Sequence, residues 1–379
     1  MKILVLLPYL RDTSPGQRFR LEQWAGVMER HGASVHFECL ESPALKKVLH
    51  HPGHVFEKIR AMSQCTLHRA LWLARIKRSQ WDVIVLHREL LPIGPPLLEW
   101  LLARKGIPIV YDFDDAIYLP NVSEANRRLA WLKWPQKTAT ICRLSTHVNV
   151  GNEYLRQYTL QFNPRVSVVP TTIDTEKYTV KERVALQSPP VIGWSGSHST
   201  IKHLQWFIPT LQELARVVPF RLRVVGADQF SVPGVDVESI PWTPATEVAS
   251  MKGFDIGLMP LPDDDWSRGK CGLKALQYMA LGVPVVASAV GVNSTIIADG
   301  RNGFIAATPA EWIDKIRRLL SDGALRQQFA AEGRRTVEES YSAAVQAPRL
   351  LDILEQVRSG AGEAIGRPKE KHGEIGCPS

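Results

Sequence analysis

Short apolar, β-branched runs recur along the chain, each followed by a stretch with helical spacing. The first set is KILVLL, SVHFECL, DVIVLH, IPIVYDF, HVNVGN and VSVVP; the second is VIGWSG, FRLRVVGA, VDVESI, FDIGLMP, VPVVAS and GFIAAT. Strands alternating with helices of about 10 to 15 residues predict βαβ units and a parallel sheet. Two sets predict two doubly wound α/β domains rather than one long sheet. The break falls in TTIDTEKYTVKERVALQSPP, residues 171–190, where the apolar period is lost and a Pro-Pro pair precedes the next strand. The expected plan is one doubly wound domain over 1–170, a linker over 171–190 and a second doubly wound domain over 191–340. A closing helix is expected over 341–358. The polar, Gly-rich residues 359–379 are expected to be disordered.

One stretch of the second domain, RGKCGLKALQYMALGVPVV, raises a question of charge. Leu276 to Leu281 suits a helix, Gly282 stops it, and Pro284 opens a buried strand. Lys270, Lys274 and Gln277 fall at i, i+4 and i+7, which places two cations on one face at the end where the helix dipole is already positive. Either solvent screens them or an anion sits there.

Composition narrows the anion. The 379 residues are 45% hydrophobic and 22% charged, enough for two cores, and 46 Lys+Arg against 38 Asp+Glu give a formal charge of +8. A phosphate-bearing small molecule, an acidic membrane and nucleic acid all fit that sign. Nucleic acid is disfavoured because no binding motif accompanies the charge. Five scattered cysteines, without CxxC or zinc-type histidine spacing, suit a reducing compartment. MKILVLLPYL is too short in its apolar part for a signal peptide, and no run of about 18 apolar residues occurs, so a cytoplasmic protein is expected. Residues 44–80 mix Lys46, Lys47, Arg60, Arg75 and Arg78 with Leu67, Leu71 and Trp72. That pattern suits either a helix lying on an anionic inner membrane face or a solvated face over a core stripe.

Neither GxGxxG nor GxxxxGK[ST] occurs. Polar residues do cluster at the carboxyl ends of expected second-domain strands, where open α/β sheets bind ligands. In GWSGSHSTIKHL, Gly193, Ser195, Gly196 and Ser197 could present backbone amides to an anion, and Lys202 opens the next helix. In AVGVNST, Gly291, Val292 and Asn293 lead into a short helix near Ser294. In the first domain Gly16 follows the first strand, with Arg18 and Arg20 on the helix after it. YDFDDA places Asp112, Asp114 and Asp115 after a buried strand, in a pattern open to a metal site, a sugar contact or a helix cap.

These stretches resemble the retaining glycosyltransferases of group 4, which have the GT-B fold. The resemblance is carried by IGWSGSHSTIKHL (192–204), FDIGLMPLPDDDWSRGKCGLKALQYMALGVPVVAS (254–288) and VGVNSTIIADGRNGFI (290–305). It is looser in the first domain, through SPGQRFR, LHRELLP and YDFDDAIYL. It implies two Rossmann-like domains facing each other across a cleft, with the closing helix over 341–358 packed back on the first, and a metal-independent hexosyltransferase that needs no cofactor beyond its nucleotide-sugar donor. The acceptor would belong to cell-surface polysaccharide or glycolipid synthesis, with the protein peripheral at the inner membrane face.

On this resemblance the donor is bound by Gly16, Gly193, Ser195, Lys202, Lys270, Lys274, Gln277, Gly291, Val292 and Asn293, with Lys202, Lys274, Asp114 and Asp115 at the reaction centre. Arg18, Arg20 and Arg88 would meet the acceptor. Two family glutamates eight residues apart, one on the donor sugar and one on the ribose, correspond here to Gly269 and Gln277. Replacing the second by Gln costs about tenfold in affinity. The rival readings are a nucleotide-sugar-binding protein without turnover and a nucleotide-sugar epimerase.

Overall fold

The computed structural model describes residues 1–360 except 50, 52, 121–130, 183–184, 198–199 and 228. The expected tail therefore lies outside the described residues from 361 onward. Each of the twelve apolar runs forms a strand, and they make two six-stranded sheets. The first has the order β2-β1-β3-β4-β5-β6, from β1 (Lys2–Leu7) and β2 (Ser34–Cys39) to β3 (Val83–His87), β4 (Ile109–Phe113), β5 (His147–Val150) and β6 (Val166–Val168). The second has the order β12-β11-β10-β7-β8-β9. Its strands are β7 (Val191–Ser195), β8 (Arg221–Val225), β9 (Asp236–Ile240), β10 (Ile256–Met259), β11 (Val285–Ser288) and β12 (Phe304–Ala306). All ladders are parallel.

Parallel strands must bury both faces, so their side chains divide by the two-residue period. In β1, Leu4 and Leu6 enter one core with Leu73, Leu98 and Leu102, while Ile3, Val5 and Leu7 enter another. The second core is closed by the helix Gln23–Arg30 and by the last helix, Ala343–Ser359, whose Leu350, Leu351 and Leu354 are buried against it. Each such leucine contributes about 1.5–3 kcal/mol. The chain thus crosses between the sheets twice, and the crossings are joined where Ile173 pairs with Ser342. Arg334 ties them further, donating to the carbonyls of Thr175 at 3.0 Å and Ala280 at 2.7 Å.

In each sheet the strand order reverses once, between β1 and β3 in the first and between β7 and β10 in the second. Loops leaving the carboxyl ends at these points diverge and leave a crevice.

Two expectations change here. Gly193 pairs with Gly257 in the middle of the second sheet, and a Cβ on Gly193 would lie 2.0 Å from the Phe254 ring. Gly257 makes the same room for Tyr278, whose ring meets Phe254 edge to face at 5.8 Å. Gly193 is therefore a packing residue inside the core and does not reach a phosphate. The lysine helix is Leu273–Ala280, so Lys270 lies in the loop before it. Gly272 holds a left-handed φ of 73° there, and a Cβ would lie 2.2 Å from Ile296 Cδ1, so both backbone and space call for glycine.

Gly193→Ala should overpack this site by about 1–3 kcal/mol or more. A urea titration followed by tryptophan fluorescence should show a lower midpoint, and an unchanged midpoint would contradict the packing role.

Candidate active site

On the first-domain wall, β4 ends in a run of carboxylates that sort by burial. Asp112 is fully buried and receives a fork of hydrogen bonds from Arg20, the shortest 2.6 Å, with His87 Nδ1 at 2.8 Å on its other oxygen. Burial pushes this carboxyl up, but Arg20 and His87 outweigh it and hold it at about 2. Arg20 also donates to the Val169 carbonyl at 2.6 Å. Removing one partner of such a pair would strand a buried charge, at about 3–5 kcal/mol. Arg20 is thus part of the framework, which corrects its placement at the acceptor.

Arg88 follows β3 with a left-handed φ of 58°, and its amide donates to the Asp112 carbonyl at 2.8 Å. Its guanidinium reaches Asp114 at 3.1 Å and Asp115 at 2.7 Å. Burial pushes Asp114 up and Arg88 outweighs it, so Asp114 stays below the usual carboxylate range. Asp114 lies against Gly16, where a Cβ would stand 2.8 Å from its Oδ2. The close approach that Gly16 permits is therefore that of a carboxylate rather than of a phosphate.

The facing wall is the loop between the short helix Asp265–Arg268 and the helix Leu273–Ala280. Lys270 crosses to Asp115 at 2.7 Å, Cys271 Sγ donates to the Asp114 carbonyl at 3.1 Å, and Asn152 Nδ2 donates to the Lys270 carbonyl at 3.0 Å. Gly269 is pressed against Ala116: a Cβ there would lie 2.8 Å from the Ala116 Cβ and 3.1 Å from its nitrogen. No carboxylate side chain fits at this position while Gly269 lies against Ala116.

The lysines converge. Lys270 Nζ lies 5.0 Å and Lys202 Nζ 6.0 Å from the centroid of the Trp266 ring, while Lys274 Nζ lies 5.4 Å from that of Trp194. Buried His203 feels all three: burial first, then Lys274, Lys270 and Lys202, lower its ring to about 3, so it is neutral. Lys274 itself is pulled down to about 7, by burial first and then by Lys270, with Asp115 opposing. Such a corner would bind an anion and be re-protonated by it.

The remaining donor positions separate into near and far. Gly291 sits beside this corner with φ 55°, and a Cβ on it would lie 2.9 Å from the Arg268 carbonyl. Val292 packs with the core under Gly272. Asn293 is buried and donates to the Ser288 carbonyl at 3.1 Å, so its side-chain amide fixes the turn. Ser195 gives its amide to the Tyr278 hydroxyl at 2.9 Å and is not free for an anion.

Gln277 lies one turn beyond Lys274 and donates to the Tyr178 hydroxyl at 3.0 Å and to Glu247 at 3.4 Å. Glu247 also accepts from Trp242 Nε1 at 3.1 Å and pairs with Arg18 at 2.7 Å. Arg18 is therefore a buried clasp between the domains, which corrects its assignment to the acceptor. Glu247 is the residue that sequence reasoning missed. It opens the helix Glu247–Lys252 in WTPATEVASMK, a segment with no motif to mark it, and only the fold brings a carboxylate beside Gln277.

Comparison with known proteins places this architecture. Residues 189–322 match the family described as Glycosyl transferases group 1. A D-inositol 3-phosphate glycosyltransferase of Xylanimonas cellulosilytica is 26% identical over 386 residues, covering 92% of this chain and 86% of that protein. One from Nocardioides sp. is 36% identical over 96 residues, which cover 25% of this chain and only 21% of that protein's length. Among solved structures, sucrose-phosphate synthase from Thermosynechococcus elongatus aligns with a TM-score of 0.69 at 14% identity, covering 95% of this chain and all (100%) of that one. HepE of Anabaena, in complex with UDP and glucose, aligns with a TM-score of 0.65 at 16% identity, covering 94% and 100%. The second domain thus matches the group 1 glycosyltransferases, and the two parallel sheets with the crevice between their reversal points form the GT-B fold.

Proposed function

We propose that the protein transfers a hexosyl group from a nucleoside diphosphate sugar to an acceptor hydroxyl, with retention and without a metal, in the assembly of a cell-surface or lipid-linked glycan at the inner membrane face. The reading rests on one observation: Lys202, Lys270 and Lys274 meet around Trp266 and Trp194, opposite Asp114 and Asp115.

In this reading the diphosphate takes the lysine corner. Lys274 gains a proton as the anion arrives, and Lys270 exchanges Asp115 for a phosphate oxygen. Asp115 remains held by Arg88 at 2.7 Å and turns toward the sugar hydroxyls, supplying from the first domain the carboxylate that Gly269 cannot carry. As the glycosidic bond breaks, negative charge grows on the leaving diphosphate while the sugar becomes cationic. Fixed ammonium groups stabilise the first, and the Asp114–Asp115 pair stabilises the second. The acceptor hydroxyl attacks from the face the diphosphate leaves, and a phosphate oxygen takes its proton, so no separate general base is required. Arg88 lies at the junction where an acceptor would enter.

The structure of HepE with UDP and glucose makes uridine nucleotides the first donors to test. The relatives named as D-inositol 3-phosphate glycosyltransferases make a phosphorylated polyol the first acceptor. A second reading, donor binding without turnover, is favoured by the same contact between Gly269 and Ala116. Release of free sugar from a bound donor would exclude it.

In calorimetric titrations with UDP, Lys274→Ala should weaken binding by at least about tenfold, the worth of a charge-assisted hydrogen bond. Unchanged affinity would remove the lysine corner from the donor site. The pH dependence has a definite sign. The free Lys274 loses its proton above about 7, whereas the anion-bound lysine keeps it, so binding takes up a proton. UDP affinity should therefore fall as pH rises above 7, by at most about tenfold per unit, and Lys274→Ala should flatten the profile. Asp115→Asn should leave UDP affinity undiminished, since Lys270 is released, while lowering kcat at least about tenfold. An unaffected kcat would remove Asp115 from the reaction centre.

A further inference from the structure

The outer layer of the first domain presents an apolar surface that the transfer chemistry does not use. The helix Val55–Arg75 has 21 residues and runs about 30 Å. Its inner face, through Ala61, Cys65, Arg69 and Leu73, is buried. Its outer face carries Phe56, Ile59, Leu67 and Leu71, with Phe56 89% and Leu67 61% exposed. These positions fall within roughly a third of the helical circle, so they form one row rather than a scatter. The helix Leu97–Ala103 lies alongside, its Leu98 and Leu102 in the same core cluster as Leu73. It turns Leu97 (63% exposed), Trp100 (50%) and Leu101 outward from the same layer. Soluble monomers rarely leave so many large apolar side chains together in water.

The charges around this surface are predominantly positive. Lys46, Lys47, Arg60, Arg75, Lys77 and Arg104 are exposed, whereas Glu57 is the one exposed acid among the described residues from 43 to 105. A second copy of the chain would bring these cations face to face, which opposes self-association. An anionic lipid surface complements both features, taking the apolar row among its acyl chains and the cations among its headgroups. Tryptophan is favoured at that depth, where an apolar body and a polar N–H are both accommodated. Among the described residues no helix is long and apolar enough to cross a membrane, so the helices would lie on the bilayer and not span it.

We propose that the outer faces of the helices Val55–Arg75 and Leu97–Ala103 seat the first domain on an anionic bilayer. This rests on the membrane-face reading given above and names the surface responsible. The loop carrying Arg88 to the crevice is anchored to the same layer, since the Leu90 amide donates to Glu99 of the second helix at 2.9 Å. An acceptor held in the membrane would thus reach the crevice from the Arg88 side.

Sedimentation of the full chain with phosphatidylcholine vesicles, with and without phosphatidylglycerol, tests the assignment. The wild type should bind the phosphatidylglycerol vesicles, less so at high salt, and only weakly the neutral ones. A variant carrying Phe56→Ser, Leu67→Ser and Leu71→Ser should bind at least about tenfold more weakly while titrating with UDP as the wild type does. No binding by the wild type, or equal binding by the variant, would overturn the proposal. So would a concentration-dependent dimer that the three substitutions dissolve, because the face would then be an interface between copies. UDP binding without vesicle binding would refute only this surface. Vesicle binding without UDP binding would refute only the transfer reading.

Discussion

The arrangement hangs on a like-charge problem. Lys202, Lys270 and Lys274 share one corner of the second domain, where burial and the neighbouring Lys270 lower the Lys274 amine to about 7, and the counter-charge comes from the other domain through Asp115 on Lys270. Asp115 is placed by Arg88, and Arg88 by the Asp112 carbonyl, which holds it in a left-handed conformation that costs about 1–3 kcal/mol for a residue other than glycine. Asp112 is in turn fixed by Arg20 and His87. A line of charges therefore runs from the buried floor of the first domain to the lysines of the second. An anion entering the crevice would substitute for Asp115 at one end of that line.

The fit between the walls explains which side chains the crevice lacks. Gly269 lies on Ala116, and Gly151 admits Cys271 Sγ, which a Cβ would meet at 2.2 Å. Both contacts need a bare backbone, so the second wall can come close only by giving up a side chain at 269. A carboxylate on the opposite wall, at Asp115, occupies the same region from the other side. The second clasp follows the same logic: Gln277 carries no charge, yet Glu247 lies beside it and is balanced by Arg18 across the domains. In both places the negative charge comes from outside the helix start, from Asp115 beside Lys270 and from Glu247 beside Gln277.

Much of the architecture was legible because parallel strands buried on both faces leave continuous apolar runs, and all twelve were visible. The lysines were legible because their spacing on a helix start contradicted the dipole, although Lys270 proved to precede the helix at a left-handed Gly272. Arg18 and Arg20 were misread for one physical reason. A guanidinium near a strand's carboxyl end suits a ligand and a buried ion pair equally well, and the deciding partners, Glu247 and Asp112, are 229 and 92 residues away. Gly193 was misread because a glycine- and serine-rich stretch after a strand suggests a phosphate loop, while its true constraint is the ring of Phe254. Glu247 had no local signal at all.

A crystal structure of the protein with a bound nucleoside diphosphate tests the central claim most directly. The account predicts phosphate oxygens within hydrogen-bonding distance of Lys202, Lys270 and Lys274, with the Lys270 contact to Asp115 opened and Asp115 still on Arg88. A diphosphate bound elsewhere, or bound while Lys270 stays on Asp115, would contradict it.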